Sequence, residues 1–262
     1  MSLIAPAVSL LTNYATRVSS GQHQLQLNHV PAPELSEAAK DRILYHQERL
    51  DNSANDFNGP ILMCQSLHGS QANVYLGDYA CVLYLLESGD HSLGVGPMWC
   101  GTILQNSRGQ ILLARRAAGL QLAPGQWNLP SGGAMEGGES AKTAMLREMN
   151  EELGENAAPA ISNLNYSGFS VSVHPPGLGM VWQGQIEDIS LLQTEEEEIS
   201  ELAWHDPNNL PENVKADILP ILQAWAKKQS DAQETATLQA ISNYSYSNQQ
   251  AAVSAALAPI VC

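Results

Sequence analysis

Glutamates are concentrated in residues 132–154, although charged residues make up only 15% of the chain. Glu148, Glu151 and Glu152 stand at positions i, i+3 and i+4, so a helix places them on one face, within about 5–6 Å of each other. Like charges at this spacing destabilise a helix unless a cation compensates them. Mg²⁺ suits this role because it binds oxygen ligands and is shared between carboxylates and substrate phosphates. The pattern indicates a metal site for phosphate chemistry; the alternative is a solvated acidic face of a surface helix.

The residues around these glutamates favour the site over the solvated face. Arg147 lies eight residues after Glu139, so the two can pair if Glu139 sits near the first turn of the helix. A carboxylate at that end also suits the helix dipole. The glycines of residues 132–138 permit a tight loop that brings backbone carbonyls close to the carboxylates.

The elements that must position this motif follow from hydrophobic periodicity. Residues 139–153 form a helix with an apolar inner face, and Gly154 is placed to end it in a left-handed cap. Before it, residues 97–105 and 110–116 read as two strands joined by a turn at Asn106–Gly109. The inner face of the predicted helix consists of Ala141, Ala144, Met145, Met149 and Leu153.

Further strands and a helix are expected after the motif. Residues 166–173 and 180–186 read as two strands joined by the turn "HPPGLG", and "EISELAWHD" reads as a last strand. "NVKADILPILQAWAKK" predicts an amphipathic helix interrupted at Pro220.

The region before residue 97 has a different sequence pattern and is treated as a unit of its own. "VSLLTNY" and "QLQLNHV" alternate like strands, and "ELSEAAKDRILYHQERL" predicts a helix with Ala39, Ile43, His46 and Leu50 on one face. "ILMCQSL", "NVYLG" and "CVLYLLE" are strands or short helices, because periodicity alone does not separate the two. We predict an N-terminal extension or accessory domain at 1–96, a main domain at 97–228 and a low-complexity tail at 229–262, disordered or loosely helical.

The motif resembles the Nudix box of Nudix hydrolases, and the resemblance covers about residues 97–225. The matching positions are Gly133, Glu139, Arg147, Glu148, Glu151, Glu152 and Gly154. Glu155 departs from the family pattern, which has an aliphatic residue there, and this puts the local loop geometry in doubt. The resemblance implies an α+β fold, a Nudix-type α/β/α sandwich with a mixed β-sheet, to which an N-terminal α/β extension is added.

The resemblance also implies a reaction. Nudix enzymes hydrolyse a diphosphate linkage in a nucleoside diphosphate joined to another group, and they use Mg²⁺ or Mn²⁺. Carried onto this sequence, Glu148, Glu151 and Glu152 become metal ligands, together with the backbone carbonyl of Gly132. Glu139 and Arg147 become the residues that hold the loop and the helix in register.

Residues outside the box complete the expected site. The family often uses an additional glutamate as ligand or base, and the run "TEEEEISE" offers Glu195, Glu196, Glu197 and Glu198, although such a run is usually a solvated loop. Arg115 or Arg116 is a candidate to grip a phosphate, with a surface ion pair as the alternative. We also expect His174 to contact substrate. Two tryptophans, at 127 and 182, could stack on a base or belong to the core.

The substrate is left open by the box. The order of elements in the N-terminal region loosely resembles the branch that cleaves UDP-glucose and similar nucleotide sugars. ADP-ribose and other nucleotide derivatives are the alternative substrates. A non-catalytic Nudix-fold module that only binds a nucleotide is the alternative of another class, but such modules typically lose box carboxylates, and this chain has them all.

Composition restricts the partners and the compartment. With 12 Lys and Arg against 27 Asp and Glu, the formal charge is −15, which disfavours a nucleic-acid duplex as partner. The cysteines form no CxxC pair, the N-terminus has no basic signal region, and no apolar run reaches the ~20 residues of a membrane span. We therefore expect a cytoplasmic protein that acts on a small nucleotide without a membrane partner. The resemblance leaves a homodimer open.

Overall fold

The computed structural model describes residues 16–17, 25–52, 59–120, 122–173 and 175–230. The predicted strand "VSLLTNY" and the predicted tail after residue 230 lie outside these ranges. Within them, no helix has the length and apolar character needed to cross a membrane.

Eleven strands and five α-helices are found in the described residues. The strands are β1 (Thr16–Arg17), β2 (Gln26–His29), β3 (Pro60–His68), β4 (Gln71–Asp78), β5 (Gly96–Gln105), β6 (Ile111–Arg116), β7 (Trp127–Asn128), β8 (Ser131–Ala134), β9 (Ser162–Val173), β10 (Pro176–Gln185) and β11 (Ile199–His205). The helices are α1 (Glu37–Asp51), α2 (Tyr79–Ser88), α3 (Ala141–Leu153), α4 (Ala157–Ala160) and α5 (Leu219–Ser230), with 3₁₀ turns at His91–Leu93 and Ile189–Leu191.

The strands form one mixed sheet in the order β1-β9-β10-β5-β3-β4-β2. β5 and β10 are parallel, with Met98 opposite Leu178, whereas β9 and β10 are antiparallel. β6 joins β5, β7 and β11, and β8 pairs with β5. The mixed sheet and its helices confirm the α+β class.

Helices cover both faces of the sheet. Successive side chains of β6 point to opposite faces, and all four apolar ones are buried. Leu112 and Ala114 share a buried cluster with the inner face of α3. Ile111 and Leu113 share another with α5, where Trp225 is only 1% exposed. The central sheet therefore lies between α3 and α5, as the sandwich requires.

Two local expectations are corrected by the structure. Pro220 does not interrupt the last helix, because α5 begins at Leu219 and the proline lies in its first turn. A helix needs no N–H from its first residues, so proline is tolerated there. Gly154 does end α3 with a positive φ of 86°, but its ψ of 159° is extended, so it is not a left-handed cap.

The N-terminal region continues the same sheet. α1 buries Ala39, Ile43, His46 and Leu50, as its periodicity predicts. The three ambiguous apolar segments become β3, β4 and α2. β3 is antiparallel to β5, so the described N-terminal strands are an extension of the main sheet. Whether residues 97–228 fold alone stays a prediction.

Candidate active site

Helix α3 presents the glutamates because its start and its inner face are fixed. The Ser140 hydroxyl accepts a hydrogen bond from the Thr143 N–H at 3.1 Å and caps the helix. Ala144, Met145, Met149 and Leu153 are buried against the sheet. Glu139 therefore lies just before the first turn, as predicted, within reach of residues one and two turns along.

Arg147 connects the acidic residues. Its Nη1 donates to Glu148 Oε1 at 2.8 Å and to Glu151 Oε2 at 2.9 Å. Its Nη2 donates to Glu139 Oε1 at 2.9 Å and to the Ala134 carbonyl at 3.0 Å. The guanidinium thus ties α3 to the loop that follows β8.

Glu152 is buried, and the side chain of Glu148 is only 12% exposed. The Gly132 N–H donates to Glu152 Oε2 at 2.6 Å. A Cβ on Gly133 would overlap the carboxylate of Glu148, so any other residue there would displace this carboxylate from its position. Burial raises the pKa of Glu148 to about 7, although Arg147 opposes the shift. Burial also raises the pKa of Glu152 well above its usual range.

The glutamate run contributes one residue to this cluster. The Glu198 N–H donates to the Glu195 carbonyl at 3.0 Å, so the run forms a turn just before β11. Within that turn, Glu198 is the member whose charge raises the pKa of both Glu148 and Glu152. Its side chain keeps an exposed surface, but partial burial of its carboxyl group raises its own pKa. Glu195, Glu196 and Glu197 have exposed side chains.

The two candidate arginines separate because neighbouring residues of a strand point to opposite faces. Arg115 donates to the Gly125 carbonyl at 3.3 Å and lies 3.6 Å from Glu201, away from the cluster. Burial raises the pKa of Glu152 and of Glu198, the charge of Arg116 opposes both shifts, and Arg116 also lines the adjacent cavity. The structure brings Arg116, and not Arg115, to the glutamates.

A cavity of about 240 Å³ opens beside the glutamate cluster. Gly132 and Gly133 line it together with Arg116, Trp99 and α2. His174 lies outside the described residues, but its neighbours Pro175 and Pro176 also line the cavity.

Two buried polar atoms in the cavity lining lack a hydrogen-bond partner among the described residues: Asn128 Oδ1 and Asp217 Oδ1. The other oxygen of Asp217 accepts a hydrogen bond from Lys215 Nζ at 2.7 Å. Unpaired buried acceptors are costly, so these two oxygens are suited to accept from a donor that enters the cavity, whether water or a ligand. Sequence reasoning missed both residues, because a single Asn in a short strand and a single Asp before a helix carry no spacing signal.

The tryptophan that lines the cavity is also not one that the sequence singled out. Trp182 is 6% exposed and packs against Tyr166, and Trp127 packs against His205 with the ring centroids 4.7 Å apart. Both therefore follow the core alternative, and Trp99 lines the cavity instead.

The donors fit a hard divalent cation by their chemistry. Glu148, Glu151, Glu152 and Glu198 offer only oxygen atoms, which Mg²⁺ and Mn²⁺ prefer. Among the described residues, no three carboxylate, histidine or cysteine groups already converge as a ligand set. Arg147 Nη1 instead holds both Glu148 and Glu151, so metal binding requires these carboxylates to turn from the arginine.

Comparison with known proteins gives the family. Residues 100–225 match the NUDIX domain. An RNA pyrophosphohydrolase of Gluconacetobacter diazotrophicus is 31% identical over 131 residues, which cover 43% of this chain and 78% of that protein. The m7GpppN-mRNA hydrolase NUDT17 of Danio rerio is 36% identical over 104 residues, covering 40% of this chain and 33% of that protein. This chain belongs to the Nudix family.

The similarity is partial in extent. The chain covers between 33% and 49% of the first three curated relatives that it matches. Among solved structures, the MutT protein of Methanosarcina mazei Go1 is similar, with a TM-score of 0.39 and 20% identity over 51% of this chain and 94% of that one.

Proposed function

We propose that the chain hydrolyses a diphosphate bond in a nucleoside diphosphate joined to another group, with Mg²⁺ or Mn²⁺ as cofactor. The observation that carries the proposal is the cluster of Glu148, Glu151, Glu152 and Glu198 around Arg147, beside a cavity lined by Arg116. Family membership supports it, and so does the retention of every box carboxylate.

Glu148, Glu151 and Glu152, with the Gly132 carbonyl, are the residues that would hold the metal. When bound, the metal neutralises diphosphate charge and lowers the pKa of an attacking water. Arg147 keeps Glu139 and the loop in place through its contacts to Glu139 and the Ala134 carbonyl.

The remaining steps belong to side chains outside the box. Arg116 contacts a substrate phosphate, because it lines the cavity and its charge acts on the carboxylate of Glu152. Glu198 accepts the proton of the attacking water, since partial burial raises its pKa toward that of an efficient base. Phosphorus then loses its bond to the leaving phosphate oxygen, and the products are two phosphate esters.

Several substrates are compatible with this chemistry. A UDP-sugar is suggested by the order of the N-terminal elements, and ADP-ribose is the main alternative. The names of the relatives add capped mRNA and RNA pyrophosphate ends as candidates. The net charge of −15 favours the small nucleotides, because long RNA would be repelled.

The test is phosphate release, coupled to a phosphatase that degrades the nucleoside monophosphate product. The panel contains UDP-sugars, ADP-ribose, dinucleotides, nucleoside triphosphates and a capped RNA oligonucleotide, each with Mg²⁺, Mn²⁺ or a chelator. We expect turnover of at least one compound with metal and none with the chelator. Nucleotide binding without turnover on any compound would instead support the binding module.

A further inference from the structure

Helix α2 lies outside the region that matches the NUDIX domain, yet it forms part of the cavity wall. Tyr79, Val82 and Leu86 line the cavity and are spaced along one face of the helix. α2 also packs into the N-terminal core, where Val82 and Leu85 are both buried. The helix is therefore anchored in that core while Tyr79, Val82 and Leu86 form part of the cavity wall.

A flat aromatic surface also lines this cavity. The Trp99 indole lies against the backbone of β10, and a side chain at Gly177 or Gly179 would collide with it. A side chain at Gly101 would approach the same ring within 3.2 Å. Because these positions are glycines, the indole can lie flat against the strand backbone. Its other face can then stack on a planar ring.

The polar features of the cavity select among planar rings. Asn128 Oδ1 and Asp217 Oδ1 are buried acceptors without a partner among the described residues, and Asp217 is 4% exposed. Two such acceptors suit a ligand that carries hydrogen-bond donors, either N–H or O–H. At about 240 Å³ the cavity is smaller than the ~300–1,000 Å³ of whole-ligand sites, so it fits one moiety of a nucleotide rather than all of it.

We propose that Trp99 and the Val82–Leu86 face of α2 form a specificity subsite for the heteroaromatic base of the substrate. This inference rests on the proposed function for the identity of the ligand. Because α2 belongs to the N-terminal region, the subsite makes that region a determinant of substrate choice. The apolar wall matches the flat surface of a base better than the amphipathic surface of a sugar.

The experiment measures binding of uridine, cytidine, adenosine and guanosine 5′-monophosphates, with ribose 5-phosphate as the base-free probe. Titration calorimetry in Mg²⁺ buffer is applied to the full chain, to Leu86→Phe and to Leu86→Ala. Leu44→Phe is the matched control, because Leu44 is 52% exposed on α1 and does not line the cavity.

We expect at least one nucleotide to bind the wild type about tenfold more tightly than ribose 5-phosphate. Leu86→Phe fills the subsite and should weaken that nucleotide about tenfold, while ribose 5-phosphate and the Leu44→Phe control stay unchanged. Leu86→Ala enlarges the subsite, so it should shift preference toward purines; it also tests the subsite if the phenylalanine variant does not fold.

Equal affinity of the wild type for nucleotides and ribose 5-phosphate would overturn the proposal. So would nucleotide affinities and preferences that Leu86→Phe and Leu86→Ala leave unchanged. No hydrolysis is read here, so an inactive wild type that still shows the base-dependent binding would remove the proposed function and retain this subsite.

Discussion

The matched region and the N-terminal region contribute to the same site in different ways. Residues 100–225 supply its charges, with Arg147 bridging three glutamates and Arg116 beside them. The N-terminal region supplies shape. Leu62 N–H donates to the Met135 carbonyl at 2.8 Å, Gly137 N–H donates to the Pro60 carbonyl at 2.9 Å, and α2 lines the cavity.

This difference explains why only one of the two contributions is visible in the sequence. A charged motif needs particular residue types at particular spacings, whereas a backbone hydrogen bond or an apolar wall can be made by many residues. The charged groups of the site and part of its shape are thus encoded in separate parts of the chain, and each part can be perturbed separately.

The largest expected effect is that of Glu152→Gln on turnover. Glutamine keeps the shape and can accept the Gly132 N–H bond but removes the charge, so kcat should fall on the order of 10³-fold, with the fold intact by circular dichroism. Glu155→Gln, an exposed change just beyond α3, is the control and should retain wild-type turnover. Substantial turnover by Glu152→Gln would show that hydrolysis does not depend on the glutamate cluster of the matched region.

Leu62→Ala tests whether the N-terminal region is an integral part of the fold. Leu62 is 5% exposed and shares a buried cluster with Met98 and Met149, so the free energy of unfolding should fall by about 2–5 kcal/mol. Tryptophan fluorescence reports the matched region, because all five tryptophans lie at residue 99 or beyond. Hydrogen exchange in β3 and β4 reports the other region.

We expect both measurements to show the same loss of stability, as a single cooperative unit requires. Leu76→Ala is the control, because Leu76 is 57% exposed and should cost less than about 0.5 kcal/mol. A transition confined to the N-terminal region would make it a separate domain.

The buried carboxylates predict a pH dependence of the metal-free protein. The folded chain holds a proton on Glu148 up to about pH 7, whereas the carboxyl of the unfolded chain releases it near its ordinary pKa of 4.5. Unfolding therefore releases a proton in this window, and stability falls as the pH rises from about 4.5 to 7.

Glu148→Gln should remove about 2–3 kcal/mol of this decrease, measured by urea unfolding in a chelator at several pH values. Mg²⁺ should stabilise the wild type most at the alkaline end, where the carboxylates are charged. If the free energy of unfolding of Glu148→Gln varied with pH as that of the wild type does, the charge of Glu148 would be compensated in the folded protein without metal.

The smallest change is expected in KM, when the neighbouring arginines Arg115 and Arg116 are replaced one at a time. Arg116→Ala should raise KM about tenfold, because it removes a cavity cation, with kcat changed less. Arg115→Ala should change KM less than about twofold, since its partner Glu201 lies outside the cluster and the pair is exposed. Equal effects would show that the strand does not separate the two side chains functionally.

Short-range periodicity and turn chemistry were enough to predict the box helix, the hairpin before it and the buried face of α1. The eight-residue spacing also predicted that Glu139 and Arg147 can pair if Glu139 lies near the first turn of the helix. The ambiguous segments that became β3, β4 and α2 were settled only by their packing, since an apolar run suits a strand or a helix equally.

Residues outside the box depend on tertiary contacts. Glu198 is the member of the glutamate run whose charge acts on both Glu148 and Glu152, and Arg116 lines the cavity whereas Arg115 pairs with Glu201. The tertiary structure also joined Trp99 and α2 around one cavity. Such groupings arise from pairings between distant segments, and local sequence patterns carry no record of them.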